Sequence, residues 1–211
     1  MKLSKNEHNH IRNIIFDLGG VLLNINYKLT EEAFAKLGVS NFSEAYSQAK
    51  QSPLFDDIEV GKASPQDFRD GLRKYMNLSV SDQMLDEAWN AMLLDMPIHR
   101  VDLIKAAGAN YRIFLLSNTN QIHFDAYSKH LSATHGFSSF SEIMEKQYLS
   151  FELGLRKPHR ECFEAVLAEN GLLAAETLFI DDSIQHIHGA RATGLNAYHL
   201  LPGEDVSVLF A

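Results

Sequence analysis

The segment Ile14-Ile15-Phe16-Asp17-Leu18-Gly19-Gly20-Val21-Leu22 constrains this chain more than any other. A short run of apolar, β-favouring residues ends abruptly in a carboxylate. Two glycines follow, and the chain then turns apolar again. A strand buried on both faces of a parallel sheet reads as such a continuous apolar run. A carboxylate just past its end is hard to explain as core. In open α/β sheets the ligand crevice lies outside the carboxyl ends of the strands. Asp17 is therefore expected where chemistry happens, and the glycines let main chain approach whatever binds there.

Three further segments fit the same crevice. Arg112-Ile113-Phe114-Leu115-Leu116 reads as a second buried strand and ends in Ser117-Asn118. Gly154-Leu155-Arg156-Lys157-Pro158 places a cation just before a helical pattern. Thr177-Leu178-Phe179-Ile180 reads as a third strand and ends in Asp181-Asp182-Ser183. Strand-like runs at 11–16, 111–116, 177–180 and 195–199 alternate with helical patterns, and a short strand is also expected near Glu142-Ile143-Met144. That alternation predicts an α/β fold, a doubly wound and mostly parallel sheet. Helix 98–107 ends at Gly108, Pro158 fits a first helical position, and Gly194 fits a left-handed cap after helix 184–193.

Between Asn24 and Pro97 the alternation stops. Helical patterns run from Glu31 to Leu37 and from Ser43 to Gln51. Ser64-Pro65-Gln66-Asp67 reads as an N-cap, a first-turn proline and an acidic first turn, opening a helix to about Met76. Ser81 and Asp82 begin the longest helix of the segment, towards Met96, with Leu85, Ala88, Trp89, Met92 and Leu93 on one face. The reading is an all-helical insertion over 25–97, flanked by a discontinuous core of 1–24 and 98–211.

The ordered set Asp17, Ser117-Asn118, Lys157-Pro158 and Asp181-Asp182 resembles the four motifs of the haloacid dehalogenase (HAD)-like hydrolase superfamily. The resemblance runs from Ile11 to about Leu201. The helical insertion is similar to the cap of the branch whose cap lies between the first and second motifs. The Asp-Leu-Gly-Gly pattern resembles a branch that includes phosphatases similar to α-glucose-1-phosphate phosphatase. The resemblance implies a Rossmann-like core and a Mg²⁺-dependent phosphatase of a small phosphorylated metabolite, such as a sugar phosphate. It implies Asp17 as nucleophile, forming an aspartyl-phosphate. Asp17, the Gly19 carbonyl and Asp182 would hold Mg²⁺, with Asp181 acting through water or by orienting the site. Lys157 would neutralise the transferring group and Asp17, while Ser117 and the Asn118 N–H would hold the phosphate. This division suits the chemistry, because a carboxylate attacking a dianion needs a divalent cation between them.

Gly19 departs from the family pattern. Most phosphatases of the superfamily carry Asp there, to protonate the leaving group and then activate water, a role worth roughly 10²–10⁴-fold in rate. His186 is a second departure, where the fourth motif usually has Asn. His123 is a candidate substitute acid/base, against the plainer reading of a solvated helix histidine. Arg156 reads as solvated. Phe42, Tyr46 and Phe55 are candidates to face the leaving group, against the alternative that they are core.

Hydrophobic residues make up 45% of the chain and charged ones 22%, the balance of an ordinary globular protein. A formal net charge of −8 argues against nucleic acid as a partner. No apolar run is long enough to span a membrane. The polar Met1–His10 segment lacks the apolar stretch of a secretory signal, and His8 and His10 there read as solvated. The single cysteine, Cys162, reads as a small buried residue and fits a reducing, cytoplasmic compartment. Nothing in the sequence fixes the oligomeric state or the substrate. Two other functions stay open on the residues: a metal-independent 2-haloacid dehalogenase, and a weakly active or inactive homologue with a binding role. The Asp181-Asp182 pair argues against the first, and Gly19 keeps the second open.

Overall fold

In a computed structural model, which describes residues 10–40, 42 and 53–210, the apolar run before Asp17 is the central strand of a five-stranded sheet. Strand β1 (Asn13–Phe16) lies between β2 (Arg112–Ser117) and β4 (Thr177–Asp181). β3 (Lys146–Leu149) and β5 (Asn196–His199) form the edges, giving the order β3-β2-β1-β4-β5 with every pairing parallel. Phe16 pairs with Leu115 on one side and Ile180 on the other. This register brings the ends of β1, β2 and β4 to one level, so the residues that follow each strand share one crevice.

The strand side chains alternate between two buried layers, as a period of two requires. Ile14 and Phe16 pack with helices α5 (Ile98–Ala107) and α6 (Gln121–His135), through Val101, Ile104 and Leu131. Ile15, Phe114 and Phe179 pack with α8 (Arg160–Asn170) and α9 (Ile184–Ala192), through Phe163, Val166 and Ile187. Burying each such side chain contributes about 1.5–3 kcal/mol relative to leaving it in water. This is the doubly wound arrangement that the alternation predicts. A one-turn helix α7 (Ser150–Leu153) follows β3 directly.

Between β1 and α5 the described residues form helices α1 (Tyr27–Lys36), α2 (Leu54–Glu59), α3 (Pro65–Met76) and α4 (Asp82–Asn90). Their apolar faces meet in a third cluster containing Phe34, Phe55, Phe68, Leu72, Leu85 and Trp89, joined by Ile122 of α6. α3 opens with a reciprocal capping box, in which Ser64 and Asp67 each bond the other's main-chain N–H. Phe55 is buried edge-on to Phe68 at 5.5 Å, and Phe42 stacks on Phe34 at 5.3 Å. Both aromatics serve packing within this cluster. The helix expected over 43–51, and Tyr46 with it, lie outside the described residues.

Several element boundaries differ from the sequence reading. α1 begins at Tyr27, not Glu31, because the Asn26 side chain caps it by accepting from the Lys28 N–H. The helix expected to run from Asp82 towards Met96 stops at Asn90. Residues 92–95 instead pair antiparallel with 24–26, through Asn26 N–H to Met92 O (2.9 Å), Leu94 N–H to Asn24 O (3.0 Å) and Asn24 N–H to Asp95 O (2.9 Å). The strand expected near 142–144 lies at 146–149, because a Ser139–Glu142 capping box folds 140–142 into a 3₁₀ turn. Pro158 precedes α8, which begins at Arg160, and the Lys157–Pro158 peptide is cis. Gly194 is left-handed (φ 83°), as read. Among the described residues, no helix is long and apolar enough to cross a membrane.

Candidate active site

The β1 ladder runs one residue past the strand, since the Asp17 N–H donates to Ile180 O at 2.9 Å. The chain then turns tightly, with the N–H groups of Leu22 and Leu23 both donating to Leu18 O at 2.8 Å. Gly20 lies in this turn at φ 77°, and a Cβ there would stand 2.1 Å from an Asp182 carboxylate oxygen. The position demands glycine on both counts. Gly19 has no such demand: its Cβ position faces only Ile25, at 3.3 Å. Arg100 braces the turn from α5, donating to Leu22 O (3.2 Å) and Asn24 Oδ1 (3.0 Å) while Asp205 pairs with its guanidinium at 2.9 Å.

Lys157 is the centre of the site. Its side chain is 0% exposed, and its ammonium donates to Asp17 Oδ1 at 2.6 Å and Asp181 Oδ2 at 2.7 Å. The Phe179 ring lies 5.4 Å away on the β4 side. Burial alone would lower the lysine's pKa, but the two carboxylates more than offset that and hold it above the usual range. Asp181 also accepts from the Ser183 N–H (2.7 Å) and faces His186 Nδ1 at 3.0 Å. It stays ionised against its burial because Lys157, then His186, favour the charged form. Asp17 moves the other way: burial first, then the Asp181 charge, push it up despite Lys157.

Asp17, Asp181 and Asp182 each present an oxygen within 4.8 Å of the others. Asp182, the most exposed of the three, is also pushed upward, by partial desolvation of its carboxylate and then by the Asp181 charge. Three carboxylates thus cluster beside one ammonium that contacts two of them, which leaves excess negative charge at a site of hard oxygen donors. That donor set fits Mg²⁺ or a similar divalent cation, and does not fit a metal preferring sulfur or imidazole. His188 is exposed and His186 is taken up by Asp181, and the cluster includes neither.

Ser117 is buried at the end of β2. The first turn of α6 is capped by Asn120, which accepts from the His123 N–H at 3.1 Å, and not by Ser117, Asn118 or Thr119. Asn118 therefore lies three residues before the helix. Its side chain does something the sequence did not signal: it bonds both main-chain groups of Lys157.

Two side chains differ from their expected surroundings, and a third agrees with them. His123 is not solvated. It is 8% exposed, stacks on Trp89 of α4 (centroids 5.0 Å apart, planes at 11°), and places Nδ1 2.8 Å from Asn90 Oδ1. Burial pushes its pKa down to about 3, so it is neutral. Arg156 pairs with Asp56 and, at 3.0 Å, with Glu59 of α2, tying the residue before Lys157 to the helical segment. Cys162 is buried as read, and burial pushes its thiol up to about 12, which leaves it inert.

A profile of haloacid dehalogenase-like hydrolases matches residues 11–194. The chain belongs to this family. It is similar to a D-ribitol-5-phosphate phosphatase of Bacteroides thetaiotaomicron, with 29% identity over 92% of this chain and 94% of that one. A HAD family enzyme of the same species, solved in complex with magnesium and inorganic phosphate, is 38% identical with a TM-score of 0.87, covering 95% of this chain and 100% of that one. A predicted HAD-like hydrolase of Porphyromonas gingivalis is 32% identical, with a TM-score of 0.80 over 92% of this chain and 93% of that one. The L-2-haloacid dehalogenase of Xanthobacter autotrophicus shares the fold at 17% identity and a TM-score of 0.59.

Proposed function

We propose that this HAD-like hydrolase is a Mg²⁺-dependent phosphoric monoester hydrolase acting on a small phosphorylated metabolite, a sugar or sugar-alcohol phosphate. The observation that carries the reading is the buried Lys157 ammonium between Asp17 and Asp181, with Asp182 in the same cluster. The Asp17 carboxylate attacks phosphorus, the bond to the leaving oxygen breaks, and an aspartyl-phosphate forms as that oxygen takes up a proton. Water then attacks the phosphoryl group, which releases inorganic phosphate and restores Asp17. Lys157 stays protonated throughout and holds positive charge against Asp17 and the transferring group. Ser117 and the Asn118 N–H face the phosphate from the end of β2. Mg²⁺ would be held by Asp17, Asp182 and the Gly19 carbonyl, with Asp181 orienting the site, and would supply charge neutralisation between the carboxylate and the phosphate.

The activities of the relatives support this choice over dehalogenation: one is a D-ribitol-5-phosphate phosphatase, and another, at 26% identity, is a sesquiterpene phosphatase of Aspergillus oryzae. We read 25–97 as a cap over a core of 1–24 and 98–211. The separate apolar cluster of α1–α4 and the paired chain at 24–26 and 92–95 support that division. The test is turnover of p-nitrophenyl phosphate and a panel of phosphorylated metabolites. Activity should require Mg²⁺, vanish in excess chelator, and fall to background in Asp17→Asn with the fold retained by circular dichroism. Substantial turnover by Asp17→Asn, or halide release from a 2-haloacid in chelator, would refute the reading.

A further inference from the structure

The buried ammonium of Lys157 reaches two carboxylates at once, so its main chain must be held to a fraction of an ångström. Yet Lys157 belongs to no strand and no helix. A buried main-chain N–H and C=O without ladder partners would each be left unsatisfied. Both are met by one side chain. Asn118 Nδ2 donates to Lys157 O at 2.9 Å, and the Lys157 N–H donates to Asn118 Oδ1, also at 2.9 Å. Among side chains in their ordinary state at neutral pH, only a carboxamide offers a donor and an acceptor at this spacing, and the donor-acceptor order fixes which way it points. The pair reproduces, with a side chain, the hydrogen bonding of one rung of a sheet. From behind, Gly189 of α9 lets the helix pack onto the same loop, since a Cβ there would stand 2.3 Å from Pro158 O.

We infer that Asn118 is a positioning residue for Lys157, with its side chain acting on the reaction through the lysine and not by touching substrate. The inference rests on the phosphatase reading for its kinetic test but has a structural readout independent of it. The second motif thereby has two separate tasks: Ser117 and the main chain face the phosphate, while the Asn118 amide fixes the cation contributed by the third motif. Asn118 and Lys157 are 39 residues apart in sequence, joined by no shared element.

The test is a double-mutant cycle. Asn118→Leu keeps the volume and removes both hydrogen bonds. It should lower kcat by roughly 10- to 100-fold through misplacement of the ammonium, with a smaller change in KM. In a Lys157→Met background the same substitution should cost less than about twofold, because the group it positions is gone. Equal losses in both backgrounds would mean that Asn118 acts on substrate directly, and would overturn the inference. Hydrogen exchange of the Lys157 amide provides the second readout. In Asn118→Leu that amide should exchange about tenfold faster, as loss of its acceptor requires, while β2 amides stay protected. Unchanged exchange at Lys157 overturns the inference whatever the kinetics show. Absence of turnover by the native protein would refute the phosphatase reading instead, and the exchange result would still decide the role of Asn118.

Discussion

Acid should loosen this protein through one histidine. His123 is held neutral between Trp89 and Asn90, with its pKa pushed down to about 3 by burial. In the unfolded chain it returns to the ordinary value near 6.5. The folded value is the lower one, so between pH 6.5 and 3 the unfolded state binds one more proton than the folded state. Stability from this group is complete above pH 6.5 and is lost as pH falls, at about 1.4 kcal/mol per unit. At pH 5 the loss is about 2 kcal/mol, or roughly 4–8 °C in Tm for a chain of this length. Trp89 is the sole tryptophan of the chain and lies against the imidazole, so its fluorescence follows both unfolding and any protonation of the ring. The comparison is His123→Phe, which keeps a ring on Trp89 and removes the titrating nitrogens. Urea unfolding at pH 7.5, 6 and 5 should give a steeper decline for the native protein than for the variant. Contributions from other groups cancel in that difference. Identical slopes, or a folded-state fluorescence titration centred near pH 6.5, would show that His123 is hydrated and the reasoning wrong.

Two glycines of the turn after Asp17 should respond in opposite ways. Gly20→Ala forces a Cβ onto the Asp182 carboxylate in a left-handed conformation, so Mg²⁺ affinity measured by calorimetry should fall at least about tenfold; unaltered affinity would place the cation away from Asp182. Gly19→Asp meets only the movable Ile25 side chain, so the variant should fold and retain Mg²⁺. If the missing carboxylate limits leaving-group protonation, the native protein should hydrolyse glucose 1-phosphate with higher kcat/KM than glucose 6-phosphate, and Gly19→Asp should narrow that gap. Equal native efficiency on the two would mean that another group supplies the proton.

The features legible in the sequence were those written in a few consecutive residues. An apolar run closed by Asp17, another closed by Ser117, and a third closed by Asp181 and Asp182 specify both a parallel sheet and a crevice at its carboxyl edge. Ser64 and Asp67, three apart, specify a helix start by themselves. What escaped depends on partners far away in the chain. Nothing local stops α4 at Asn90 until residues 92–95 meet 24–26. Arg156 reads as an ordinary surface arginine until α2 brings Asp56 and Glu59 beside it. His123 carries no mark of burial, because the ring that covers it belongs to α4. Asn118 follows its strand as the sequence indicates, but the bonds its side chain makes to the Lys157 main chain stay hidden, since main-chain partners leave no trace in sequence.

The pairing of 24–26 with 92–95 has a consequence for how such a protein can change. The chain leaves the sheet after β1 and returns beside its own point of departure, with Asn24 also donating from its side chain to Asp95 at 3.0 Å. Whatever is threaded through that neck is, for the sheet, a closed loop whose ends are already fixed. Lengthening a closed loop costs little, about 0.6 kcal/mol per doubling. The chain beyond the neck can therefore lengthen at little cost to the β1–β2 register, provided that the contacts of Arg156 with α2 and of His123 with Trp89 are kept. On the division proposed above, the neck would separate a part held constant for the chemistry from a part free to diverge in which ester it admits.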